Sequence, residues 1–244
     1  MVRLLLIIGL LLAGTSAWAS KPLAAWWAKP DTLGLRYQDL TLRTSDHVRL
    51  AAWLIEPAAA VPDRRTTVVV AGGDWGNMSY SLYLAQALSA AGYRVLLFDY
   101  RGFGHSQAFA IDINQLYYAE FATDLGTALA EARRRAPGQR VGIHGFSMGA
   151  LLGARVAARD AAKGAAGARC DFLITEGFPA NPPAIVAYNR RTTPERPTTL
   201  PADAATFGRV AARVGCPWLL FAGRADPITT LAQAEATVRA ARPG

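Results

Sequence analysis

Histidine is scarce in this sequence: 244 residues hold three, His47, His105 and His144. Two cysteines are too few for a disulfide-stapled scaffold. His, Cys and acid nowhere cluster at metal-ligand spacing, so neither a metal nor any other cofactor is expected. Acidic side chains are outnumbered, 18 Asp and Glu against 26 Lys and Arg, which gives a formal charge of +8. Such an excess suits an anionic partner such as nucleic acid or an acidic membrane. The arginines, however, are scattered along helices (Arg133, Arg134, Arg135, Arg155, Arg159, Arg239) rather than interleaved with aromatics. A solvated basic surface without nucleic-acid binding is the expectation.

Long apolar runs are also absent, except at the start. There Met1-Val2-Arg3 is a short basic stretch, residues 4–12 are apolar, and Ala17-Trp18-Ala19 precedes Ser20 as an A-x-A cleavage site. The pattern is that of an export signal over residues 1–19, removed in the periplasm or on secretion. The competing reading is an uncleaved anchor, since residues 2–19 are just long enough to cross a bilayer. Membrane association is expected only in that case.

Residues 20–244 read as one domain with a full core, because 52% of the sequence is hydrophobic and 18% charged. A Trp- and Pro-bearing leader occupies residues 20–33. Residues 35–42 and 48–55, with the turn Thr44-Ser45-Asp46-His47, read as an antiparallel pair. Short apolar runs then alternate with amphipathic helices. Strands are expected at 67–70, 94–98, 140–144, 171–174 and 217–222, and helices near 78–91, 117–135, 150–159 and 228–241. Runs of apolar and β-branched residues without alternation suit strands buried on both faces, hence an α/β fold with a mostly parallel sheet covered by helices on both faces. In residues 177–207 prolines break any long period, so a small lid inserted over the sheet is expected there. Cys170 and Cys216 each precede a predicted strand. If those strands are parallel neighbours the thiols start side by side, either as a disulfide or as two small buried side chains.

The strongest chemical signal is Gly145-Phe146-Ser147-Met148-Gly149, placed between a predicted strand and a predicted helix. A sharp strand-to-helix turn presents the serine hydroxyl above the sheet, and glycines two residues either side avoid clashes. Met148 N–H then lies at a helix N-terminus, aimed where an oxyanion forms. With Asp99-Tyr100-Arg101-Gly102-Phe103-Gly104-His105-Ser106 and Gly223-Arg224-Ala225-Asp226, the chain resembles the α/β-hydrolase serine hydrolases of the esterase, lipase and serine peptidase kind over residues 35–241. The resemblance implies that Ser147 forms an acyl-enzyme with a carboxylic ester or amide. It implies Asp226 as the triad acid, with Glu176 the alternative. In Ala71-Gly72-Gly73-Asp74-Trp75-Gly76-Asn77 it implies Asp74 N–H as the second oxyanion donor, its carboxylate turned away.

That same loop makes a dinucleotide-binding reading possible, since Ala71-x-Gly73-x-x-Gly76 follows a strand and Asp99 ends the next. The first glycine is missing and two antiparallel strands come first, which disfavours it.

A serine nucleophile needs an imidazole to take its proton. His47 falls in the hairpin turn, His105 in the loop after the fourth strand, and His144 only three residues before Ser147, packed against a helix or strand. None fits the base. One helix and one strand beyond Asp226 would place the expected histidine at about position 250. Without a further strand Trp218-Leu219-Leu220-Phe221 would be an apolar edge. The sequence-level expectation is therefore a chain that lacks its last strand and catalytic histidine. The alternative is a non-catalytic binding protein of the cell envelope.

Overall fold

The computed structural model describes residues 20–163, 169–195 and 197–241, so the expected export signal lies outside the described residues. A seven-stranded sheet runs in the order β2 (Tyr37–Arg43), β3 (Arg49–Ile55), β6 (Arg94–Phe98), β4 (Thr66–Ala71), β7 (Arg140–Phe146), β8 (Leu173–Glu176), β9 (Trp218–Phe221). β2 pairs antiparallel with β3 from Tyr37↔Ile55 to Arg43↔Arg49, and β3 pairs antiparallel with β6. All later pairings are parallel. The apolar runs sit where two-sided burial demands them: all six residues of β4 are buried, as are four of the five in β6.

Alternate residues face opposite layers. Val69, Leu96, Val141, Ile143 and Leu173 pack into one core with α2 (Ala119–Arg135) and α3 (Met148–Lys163). Val68, Val70, Val95 and Leu97 pack on the other face with Leu82 and Ala85 of α1 (Leu82–Ala90). Helices thus cover both faces, but α1 covers its side only around β3, β6 and β4. Farther along that side, Phe146, Leu219 and Phe221 stand 55%, 53% and 52% exposed. No helix among the described residues is long and apolar enough to cross a membrane.

Two segments differ from the sequence expectation. Residues 182–192 form α4 (Pro182–Thr192), whereas the prolines had argued against regular structure. Pro182 and Pro183 occupy the first turn, where a missing N–H costs nothing, and the Asn181 side chain accepts from Ala184 N–H. The remainder of the 177–207 insertion is pinned rather than loose: Phe207 packs on Tyr117, and Gln115 bridges to Thr199.

The leader is the second difference. Lys21–Pro22 (β1) pairs in parallel with Trp75–Gly76 (β5). Lys21 N–H donates to Asp74 O at 2.7 Å and Leu23 N–H to Gly76 O. The buried Asn77 amide donates to the carbonyls of Leu23 and Ala25, and Trp26 Nε1 donates to Asp99 at 2.8 Å. The leader is therefore stitched onto the loop that follows β4.

Candidate active site

The turn from β7 into α3 carries Ser147, and its backbone is bent as the motif requires. Ser147 is non-glycine yet has φ 51, in the left-handed region. A Cβ at Gly149 would lie 2.0 Å from Ala71 O, and one at Gly145 2.4 Å from Gly149 O. No larger residue fits either place, so β4 and the helix start can close around the serine. Ser147 N–H donates to Glu176 O at 2.9 Å, which ties the elbow to the end of β8. Met148 is the first residue of α3, so its N–H has no acceptor within its own helix and is available to a ligand.

The loop after β4 lies directly against this turn. A Cβ on Gly73 would meet the Phe146 ring at 3.3 Å and Ser147 Cβ at 3.7 Å. Asp74 follows, with its carbonyl held by Lys21 N–H. Its carboxyl is pushed up to about 6 by burial. A cavity of about 520 Å³ opens beside the loop, lined by Gly73, Asp74, Trp75, His144, Phe146 and Glu176 among others. Asp74 thus contributes to the cavity wall, and it also raises the Tyr117 hydroxyl, whose upward shift comes first from burial and then from this carboxylate.

The three histidines fall as follows. His47 sits in the β2–β3 turn with φ 67. His105 stacks on Trp26, ring centroids 3.7 Å apart. His144 lies on the α1 side of β7 and pairs through Nε2 with Glu176 Oε1 at 2.8 Å, while its buried Nδ1 has no partner among the described residues. The expectation that His144 packs on a neighbouring strand holds. That its partner is the alternative acid Glu176 was not anticipated, because it depends on the β7–β8 register, in which Phe146 lies opposite Glu176.

Asp226 lies in the turn after β9, half-buried. It accepts from Ile228 N–H at 2.8 Å, Thr229 N–H at 2.9 Å and the Thr229 hydroxyl. Partial burial pushes its carboxyl up, but these donors outweigh burial and hold it below its ordinary value. Thr229 in turn approaches Gly177, the residue after β8. Ser147, Glu176 and Asp226 therefore all stand at the C-terminal ends of adjacent parallel strands, where open α/β sheets place their sites.

The D-x-R-G segment is structural. Asp99, 1% exposed, accepts from Met78 N–H, Trp26 Nε1 and His105 N–H. Burial raises its pKa despite those donors. Arg101 is buried between Asp124 and Asp46, at 2.7 and 2.6 Å. The dinucleotide reading asks that Asp99 face a ribose, and its oxygens are instead occupied by the protein's own donors. Cys170 and Cys216 both lie in the apolar cluster under α2 and α3, and the Cys170 thiol donates to Phe172 O at 3.1 Å.

A mostly parallel sheet with a strained serine at a strand-to-helix turn, glycines two residues to either side, is the arrangement of the α/β-hydrolase fold. Comparison with known proteins agrees. Residues 62–171 match the family described as serine aminopeptidase, S33. An esterase from Pyrococcus furiosus superposes with a TM-score of 0.70 at 20% identity, covering 91% of this chain and 84% of its own. An α/β serine hydrolase without lid from Xanthomonas campestris gives 0.60 at 22% identity, covering 84% and 78%. An uncharacterized membrane protein of Saccharomyces cerevisiae is 33% identical over 79 residues, 32% of this chain. That stretch spans only 26% of the yeast protein's length.

Proposed function

We propose that the protein is an exported serine hydrolase that forms an acyl-enzyme on Ser147 from a carboxylic ester or amide. The observation that carries the reading is the left-handed backbone of Ser147 between two glycines that no other residue can replace. Strain of that kind persists only where surrounding structure enforces it, and it lifts the hydroxyl out of the turn. Ser147 Oγ attacks the carbonyl carbon, and the developing oxyanion is met by Met148 N–H and by Asp74 N–H. Asp226, kept ionised by its three donors, is suited to orient an imidazolium.

None of His47, His105 and His144 serves as that imidazole. His144 is committed to Glu176 and His105 to the face of Trp26. These 244 residues alone are therefore expected to turn over esters slowly, since loss of the base in a comparable serine hydrolase costs about 10⁶ in kcat. Prolonged exposure to a fluorophosphonate followed by peptide mapping tests the nucleophile. Label on Ser147, absent in Ser147→Ala, supports the proposal; label on other serines with Ser147 unmodified overturns it.

A further inference from the structure

Four exposed aromatic rings form one continuous strip on the surface. Trp75, Tyr80, Tyr83 and Trp27 stand 48%, 44%, 65% and 44% exposed. Trp75 packs against Tyr80 with ring centroids 4.4 Å apart, and Tyr83 stacks on Trp27 at 5.6 Å. Tyr80 and Tyr83 join the two pairs. They lie three residues apart where the 3-10 turn Met78–Ser81 runs into α1, a spacing that sets them side by side on one face of a helix. The rings are fixed in place: Trp27 Nε1 donates to Ser79 O at 2.7 Å, and a Cβ on Gly76 would lie 2.8 Å from the Tyr80 ring. Lys21, the exposed cross-strand partner of Trp75 in the β1–β5 pair, adds a cation at one end. Lys29 follows Trp27 by two residues at the other end, exposed, with its ammonium 5.7 Å from the Trp26 ring.

Trp and Tyr combine an apolar ring with a polar tip, and long lysine stems carry their charge outward, which is the combination that settles at the boundary between acyl chains and headgroups. The formal charge of +8 favours an anionic leaflet. The point at which the chain enters the folded domain agrees. Ser20 directly precedes Lys21, and the apolar residues 4–12 lie ahead of it in sequence, so a chain that keeps that stretch in a bilayer brings this strip to the bilayer surface. We infer that Trp75, Tyr80, Tyr83 and Trp27, with Lys21 and Lys29, form a docking surface that seats the folded domain on an anionic lipid bilayer at headgroup depth, whether or not residues 1–19 are removed. Docking turns the cavity beside the elbow toward the lipid, because Trp75 and Tyr80 share its wall with Phe146. No step at Ser147 enters the inference, so it stands or falls apart from the proposed hydrolysis.

The test uses the full chain produced in an exporting bacterium and vesicles of phosphatidylcholine and phosphatidylglycerol in equal parts, with hydroxyl-radical footprinting of the four rings. Their oxidation is expected to fall several-fold on these vesicles and much less on vesicles of phosphatidylcholine alone. Lys21→Gln keeps the main-chain pairing of β1 and is expected to lower the ratio of protected to unprotected rings roughly fivefold at a fixed vesicle concentration, as the loss of one basic residue at an anionic surface predicts. Tyr83→Gln, at an exposed position of α1, is expected to lower the protection of Trp75, Tyr80 and Trp27 as well. Rings oxidised as readily with vesicles as without them overturn the inference, even if the protein sediments with the lipid. So does protection that arises in concentrated protein without lipid, which would make the strip an interface between proteins. Equal protection on phosphatidylcholine alone, unaffected by Lys21→Gln, overturns the anionic assignment.

Discussion

Replacing Ser147 by glycine should stabilise the protein while destroying its nucleophile. At φ 51 a residue with a Cβ sits in the left-handed region at a cost of about 1–2 kcal/mol, and glycine carries no such cost. Against this, glycine loosens the unfolded chain by about 0.4–1 kcal/mol. The half-buried Ser147 Cβ gives up little contact, so the net gain is on the order of 0.5–1 kcal/mol. For a domain of this size 1 kcal/mol corresponds to roughly 2–4 °C in Tm. The control is Ser147→Ala, which removes the hydroxyl but keeps the Cβ and hence the strain. Urea unfolding and calorimetry of both variants isolate the backbone contribution. A Ser147→Gly protein no more stable than Ser147→Ala would mean that the turn is not strained, and the elbow argument would fail with it.

Other consequences follow from the same contacts. Gly149→Ala places a Cβ where Ala71 O stands at 2.0 Å, so it should cost about 1–3 kcal/mol or more in urea unfolding. Arg101→Met leaves Asp124 buried without its cation and should destabilise by about 3–5 kcal/mol, with Arg101→Met/Asp124→Leu recovering much of the loss. Asp74 sets a pH dependence. Its carboxyl binds its proton more tightly folded (about 6) than unfolded (3.8), so stability should fall as pH rises through that window and level off above it. The drop should be on the order of 2–3 kcal/mol, and Asp74→Asn should abolish it.

The parallel core was legible because two-sided burial leaves an unmistakable mark: Thr67-Val68-Val69-Val70 and Val95-Leu96-Leu97-Phe98 are unbroken runs of β-branched and apolar residues, and the structure buries them. The elbow was legible because glycine is obligatory at 145 and 149 for reasons of space. The docking of the leader was not. It is made by main-chain bonds and one asparagine amide, which impose no periodicity on residues 20–27. α4 was hidden because its prolines read as breakers until they are seen to occupy the first turn. The His144–Glu176 pair joins residues 32 apart in sequence through strand register, which local patterns do not carry.

The central claim, a well-placed nucleophile and oxyanion site whose proton acceptor is none of the three histidines, is tested most directly by chemical rescue. Hydrolysis of an activated aryl ester is measured against imidazole concentration for the protein and for Ser147→Ala in the same buffers. The account predicts little Ser147-dependent hydrolysis without imidazole and a Ser147-dependent rate that climbs as imidazole is added. Rapid hydrolysis without imidazole that Ser147→Ala abolishes would contradict it, and so would identical imidazole dependence in the two proteins.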